Sequence, residues 1–207
     1  MKNMKVLLTG GSGLLGHNVL RLLLERGFEV VALVRRAGAV RLEGGGWRPV
    51  VGDPLDEATL LRAAEGCEAV VNCAGAADMS LRRLDDYRPA NRDLPQLLVQ
   101  AMEKLGIRRL VHVSTVNTIG HGSPGRPATE EAPMEEPFLG SLYAQSKREG
   151  EEAVLDAARR HADWHVVVVC PGFMIGPYDV KPSSGRLLLA ARGRRLMVAP
   201  GGGKAFV

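Results

Sequence analysis

Apolar and polar positions follow two alternating rhythms along this chain. "KVLLTG" (5–10) is a short apolar run that stops at glycine, "LLGHNVLRLLLERG" (14–27) has helical spacing and ends in glycine, and "EVVALV" (29–34) is β-branched and apolar again. The pattern continues with a strand at "WRPVVG" (47–52), a helix at "DEATLLRAAEG" (56–66), a strand at "EAVVNCAG" (68–75) and a long helix around 89–105. A strand at "RRLVHVST" (108–115), a helix from about Ser141 to Ala162 and a strand at "WHVVVVC" (164–170) complete it. Six buried-type strands separated by helices predict an α/β fold, a doubly wound parallel sheet with helices on both faces.

Two stretches break the rhythm. "NTIGHGSPGRPATEEAPMEEPFLG" (117–140) is rich in Gly, Pro and Glu and too long for an ordinary connection, so it reads as a functional or a disordered loop. Its Glu130, Glu131, Glu135 and Glu136 are most simply solvated, although they precede Tyr143 closely enough to lie over a substrate. "RRLMVAPGGGKAFV" (194–207) reads as a turn, "GGGKA" at 201–205, and the start of a new strand, with nothing to close the sheet. The expectation is a dinucleotide-binding domain over 1–170 and an incomplete, truncated substrate-binding region over 171–207.

Composition narrows the class. The chain has 207 residues and is 45% hydrophobic, enough for a real core. No run approaches the ~18 apolar residues of a membrane span, and "MKNMKVLLTG" lacks the features of a signal peptide, so a cytoplasmic location is expected. The 3 cysteines, Cys67, Cys73 and Cys170, sit in or beside apolar stretches without metal-ligand spacing and read as reduced thiols. The net charge of +4 is scattered as Arg pairs, and 4% aromatics leave little to stack bases on, which argues against nucleic acid. His161 and His165 straddle a predicted helix end and strand, and read as an exposed pair, not metal ligands.

With 25 glycines, a G-x-x-G-x-x-G spacing arises by chance about 0.35 times in such a chain, so Gly10, Gly13 and Gly16 argue through their position. They follow the first strand and open a helix. There Gly10 permits the sharp turn, Gly13 lets backbone approach a pyrophosphate and Gly16 lets helix and strand pack closely; Thr9, Ser12 and Leu14 line the same turn. The helix N-terminus attracts phosphate. At the end of the second strand, where a carboxylate would take a ribose 2′-hydroxyl, Arg35 and Arg36 stand instead. A guanidinium fork suits the 2′-phosphate of NADP, which is favoured over NAD; a solvated Arg pair is the plain alternative.

"YAQSK" sets Tyr143 and Lys147 four apart on one helix face. Chance supplies such a pair only about 0.09 times. A cation within about 4–6 Å lowers a phenol pKa from ~10 by roughly 1–3 units, so Lys147, helped by an oxidised nicotinamide, is expected to prepare Tyr143 for acid–base work.

Through these motifs the chain resembles the extended short-chain dehydrogenase/reductase family, the NAD-dependent epimerase/dehydratase superfamily with a Rossmann fold. The resemblance runs nearly the whole length: "TGGSGLLG", "GDPLD", "VNCAG", "HVSTVNTIG", "YAQSK" and "PGFMIGP" match its motifs in order. It implies that the turn's Thr9, Leu14 and Leu15 bind the cofactor with Asp53 near the adenine amino group and Leu55 packing beside it. Asn72, Cys73, Ala74 and Gly75 flank it under the fourth strand, Asn91 supports the site from a helix, and Pro171 and Gly172 close it. Thr115 is the hydroxyl that orients the reacting oxygen, with Ser114 as the fallback, because strand alternation turns only one of the two toward the cofactor.

The implied mechanism has Tyr143 exchange a proton with the substrate oxygen while Lys147 lowers its pKa and holds the nicotinamide ribose. The implied activity is hydride transfer between a nicotinamide cofactor and a ketone or secondary alcohol. "ALVRR" with "HVST" resembles the dihydroflavonol-reductase-like branch. A nucleotide-sugar epimerase or dehydratase is the alternative; Val116-Asn117 after Thr115 stand where a dehydratase would carry Asp-Glu. A non-catalytic NADP-binding regulator is the third reading, against which "YAQSK" argues. The partner is a small-molecule substrate, and a homodimer through the helices at 89–105 and 141–162 follows by analogy.

Overall fold

The six apolar runs become six strands: β1 (Lys5–Thr9), β2 (Glu29–Val34), β3 (Trp47–Val51), β4 (Ala69–Asn72), β5 (Arg109–Val113) and β6 (His165–Val169). The computed structural model describes residues 3–123, 125–180, 184–193 and 206–207. All pairings are parallel, in the order β3-β2-β1-β4-β5-β6. Chain direction across the sheet reverses between β1 and β4, so a crevice opens at their C-terminal ends, where open α/β sheets bind ligands. Pro49, which has no N–H to donate, sits in β3, an edge strand that tolerates the loss.

Strand alternation divides the core in two. Leu8, Val30, Ala32 and Val34 face α1 (Leu14–Glu25) and bury its Leu20. Leu7, Val31, Val70 and Leu110 face the other way, against Leu60 of α2 (Glu57–Ala64), Leu98 and Met102 of α4 (Leu94–Leu105) and Val154 of α5 (Leu142–Arg160). Coverage is uneven: on the α1 side Val167 and Val169 of β6 stay exposed.

The long helix expected at 89–105 begins earlier, as α3 (Leu84–Arg88), and passes through a π turn, Pro89–Asp93, before α4. Proline explains the break: Pro95 has no N–H to return to the Asn91 carbonyl, so the regular ladder cannot close there. That carbonyl is where α5 comes closest, since a Cβ on Gly150 would lie 1.9 Å from the Asn91 oxygen.

Ser141 caps α5, its hydroxyl accepting from the Ala144 N–H at 3.3 Å, so the helix starts at Leu142, one residue before Tyr143. Its buried stripe recurs every three or four residues and includes, besides Ala144, Gly150, Val154 and Ala157, the polar Ser146, Lys147 and Glu151. The Gly/Pro/Glu-rich stretch is folded back on itself: Gly120 donates to the Ala132 carbonyl at 3.1 Å, and Glu135 accepts from the His121 N–H at 2.7 Å. Helix α6 (Arg186–Ala191) was not expected, and the turn and new strand expected within 194–205 lie outside the described residues.

Candidate active site

The glycine turn is built as its spacing requires. Gly10 has φ +73°, and a Cβ there would lie 2.5 Å from the Ala74 nitrogen. A Cβ on Gly16 would lie 2.2 Å from the Gly10 carbonyl oxygen, so what this glycine admits is the turn itself, seated on the first helical turn. Gly13 differs: a Cβ there would come no nearer than 3.5 Å to the Gly10 oxygen. It opens α1 with no side-chain cap, and no acidic residue stands in the first turn. The first-turn N–H groups, of Leu14, Leu15 and Gly16, thus point out of a helix whose positive end is uncapped, a setting that fits a pyrophosphate.

Behind the turn lies a polar row no spacing rule had shown. Thr9, Asn72 and His112 are cross-strand neighbours on β1, β4 and β5, all buried. The Thr9 hydroxyl donates to Asn72 Oδ1 at 2.6 Å, which also accepts the Ala74 N–H at 3.2 Å, while Asn72 Nδ2 donates to His112 Nδ1 at 3.0 Å. Burial, with the Lys147 charge second, drops the His112 pKa to about 3, so the imidazole is neutral. Thr9 and Asn72, expected at the cofactor, have their side chains engaged beneath it and hold the β1 and β4 ends together.

Asn91 is likewise buried behind the loop after β4. It accepts the Ala76 N–H at 2.8 Å and donates to the Ala76 carbonyl and to Ser146 Oγ, both at 2.9 Å. Asn91, expected to support the site, thus ties the loop after β4 to α5, with both polar atoms of its amide engaged. Gly75 is exposed, and a Cβ there would lie 3.2 Å from Asn91 Oδ1 and 3.6 Å from Lys147 Nζ, so the loop passes close to the buried lysine head. Burial pushes the neighbouring Cys73 thiol up to about 12.

Tyr143 and Thr115 meet at this edge. A hydrogen bond with Thr115 lowers the phenol pKa, but burial, the larger effect, leaves it above its ordinary value. The expectation that Lys147 depresses it does not hold here: the ammonium donates to the Val113 carbonyl at 2.6 Å, and burial brings its own pKa down to about 8. The two candidate hydroxyls, just past the end of β5, turn apart. Ser114 donates to Glu151 Oε2 at 2.6 Å, away from the phenol, while Thr115 is the one beside Tyr143.

The remaining residues form the rim. Arg35 and Arg36 are exposed just past β2. Asp53 is exposed past β3, its carboxylate accepting the Leu55 N–H at 2.9 Å. The Pro171 carbonyl accepts from the Val116 N–H at 3.1 Å, and a Cβ on Gly176 would lie 3.6 Å from Leu14 Cδ1, so the segment holding Pro171 and Gly172 runs from the β5 corner to the glycine turn. His161 pairs with Glu103 at 2.9 Å and stacks on Trp164. Glu151 and His112 were missed; Glu151 had a signal, standing four residues after Lys147 on the same helix face.

The model of the NAD dependent epimerase/dehydratase family matches residues 6–198. The chain belongs to that family. Within it, a protein of Synechocystis sp. (strain ATCC 27184 / PCC 6803 / Kazusa) whose name assigns it to the dihydroflavonol 4-reductases is 34% identical over 185 residues, 87% of this chain and 52% of its own length. The sterol demethylase protein B of Methylococcus capsulatus (strain ATCC 33009 / NCIMB 11132 / Bath) is 33% identical over 202 residues, 96% of this chain and 60% of its own. The chain thus spans little more than half of these relatives. Among solved structures, the UDP-glucose 4-epimerase of Thermus thermophilus in complex with NAD superposes with a TM-score of 0.77 at 27% identity, over 91% of this chain and 61% of that one.

Proposed function

We propose that this chain carries the cofactor half and the proton-transfer groups of an oxidoreductase that moves a hydride between a nicotinamide dinucleotide, NADPH in preference to NADH, and a ketone or secondary alcohol. The observation that carries the reading is the hydrogen bond between Tyr143 and Thr115, with Lys147 one helical turn on from Tyr143, in a sheet whose glycine turn opens an uncapped helix. Thr115 donates a hydrogen bond to the substrate oxygen, and Tyr143 delivers the proton that turns the carbonyl into an alcohol. The phenol, its pKa raised by burial, holds its proton at neutral pH and so is in the form that can donate it. Lys147, protonated at neutral pH, balances the phenolate left behind, which takes a proton back from solvent. The bound dinucleotide supplies the hydride at C4 of its nicotinamide. Arg35 and Arg36, exposed where the second strand ends, support the NADPH preference.

A substrate with a large apolar body is the best match. Met79, Leu139 and the Leu187–Leu189 run of α6 are exposed. The first of these follows Asp78, whose carbonyl accepts from Tyr87, and the Tyr87 ring lies 6.3 Å from that of Tyr143. Hydrogen bonds from Ser80 hold the Asp78 carboxyl low, and the charge of Arg186 at the start of α6 adds to that. Two relatives are named for a dihydroflavonol and a sterol, both mostly apolar ring systems.

The solved epimerase gives the second reading, since it pairs the same fold with a nucleotide sugar. Cofactor turnover separates them. With [4-²H]NADPH and a panel of cyclic ketones, a reductase consumes one NADPH per alcohol formed and leaves deuterium on the carbinol carbon. Epimerisation of UDP-sugars with no net change in absorbance at 340 nm would replace this reading with the second.

A further inference from the structure

We propose that Glu151 is a positioning residue that serves as the buried counter-ion of Lys147, and that it ties the β5 corner bearing Thr115 to the helix bearing Tyr143 and Lys147. The inference rests on the reading of Lys147 above only for its catalytic consequence.

Glu151 is 7% exposed and stands one helical turn beyond Lys147, which is 3% exposed, on the stripe of α5 that faces the sheet. Its Oε2 accepts two hydroxyl protons, from Ser114 at 2.6 Å and from Thr118 at 2.7 Å. Those residues bracket Thr115. Lys147 fastens the corner from one side through the Val113 carbonyl, and Arg148 from the other, donating to the Thr118 carbonyl at 3.1 Å. Three side chains of one helix, Lys147, Arg148 and Glu151, thus hold the strand end from Val113 to Thr118, and the Thr115 hydroxyl is left to face Tyr143.

The same carboxylate, one helical turn along the buried stripe of α5, is a charge that acts on the buried ammonium across that turn. The titratable groups that bear on Lys147 come from four elements: Glu151 on α5, Cys73 beyond β4, His112 on β5 and Cys170 beyond β6, with Tyr143 one turn back on α5. The two thiols are pushed up by burial and stay neutral, the imidazole is neutral, and the phenol holds its proton. Glu151 is the only carboxylate among them. Glu149, one face round the helix, is engaged by Arg88 at 2.6 Å, with Arg92 beside it, and has no part in this pair. Burial works to discharge Lys147, and the Glu151 charge works against it.

The test needs neither cofactor nor substrate, so its outcome stands apart from the oxidoreductase reading. Protein labelled with [ε-¹³C]lysine is titrated by NMR, with Lys147→Met to assign the Lys147 signal. In Glu151→Gln, which keeps the shape and an acceptor oxygen, the Lys147 midpoint should fall by about one pH unit from that of the wild type. A midpoint within 0.2 units (roughly the precision of such a titration) in folded Glu151→Gln overturns the proposal and leaves Glu151 a structural residue. If Glu151→Gln does not fold, Glu151→Asp, which retracts the charge by one methylene, should lower the midpoint by about half a unit; an unmoved midpoint there overturns it equally.

Discussion

Asn91→Ala should loosen both the fold and the dinucleotide site, by amounts the structure bounds. The amide makes three hydrogen bonds at 2.8–2.9 Å, two to the main chain of Ala76 and one to Ser146, from a fully buried position. Each bond contributes a net 0.5–1.5 kcal/mol, about 3 kcal/mol for the set, and water reaching the half-exposed Ala76 limits the further penalty for unpaired groups. At about 2–4 °C per kcal/mol for a chain of this size, the melting temperature should fall by roughly 6–12 °C. Gly75, next to the released segment, borders Lys147, so NADPH affinity should weaken by about tenfold, near 1.4 kcal/mol. Thermal unfolding by circular dichroism and NADPH fluorescence titration read the two effects. A variant that loses less than about 1 kcal/mol and binds NADPH as the wild type does would refute the anchoring role given to Asn91.

Three further outcomes follow from the same geometry. The ketone-reduction rate should be flat through neutral pH and fall about tenfold per unit above pH about 8, because the Lys147 pKa is lowered to about 8 and its charge is lost as pH rises through that value; a stopped-flow pH profile shows it. Gly16→Ala, with its Cβ 2.2 Å from the Gly10 oxygen, should cost about 2–3 kcal/mol of stability in urea unfolding. By contrast, Gly13→Ala, with nothing nearer than 3.5 Å, should leave stability within about 0.5 kcal/mol and weaken only dinucleotide binding. Arg35→Asp should reduce the NADPH-over-NADH preference in Kd by at least about tenfold; an unchanged ratio would remove the guanidinium from cofactor choice.

Most strands were legible because they combine β-branched residues with an abrupt glycine, cysteine or charged stop, as "EVVALV" does before Arg35, whereas β5 runs out into Ser114 and Thr115. The glycine turn and the Tyr143–Lys147 face were legible because both are local: three and four residues fix their geometry. What escaped was set by residues far apart in the chain. The π turn depends on Pro95 withholding one N–H and on Gly150, 59 positions after Asn91, meeting the freed carbonyl. The Thr9–Asn72–His112 row exists only once β1, β4 and β5 stand side by side. Ser114 and Thr115 are adjacent hydroxyls of equal promise in the chain, and it is Glu151, reaching over from α5, that engages one of them. The phenol expectation missed for a similar reason: spacing puts Lys147 on the face of Tyr143, but the Val113 carbonyl draws the ammonium toward β5.

Tyr143→Phe is the most direct measurement of all. It removes one oxygen from a half-buried ring, and with it the hydrogen bond to Thr115, and leaves the glycine turn and Lys147 in place. With NADPH and an apolar cyclic ketone, kcat should drop by about 10²–10⁴-fold, the range for loss of a positioned acid, while the NADPH Kd stays within about twofold. Wild-type turnover in this variant would contradict the assignment of Tyr143 as the proton donor.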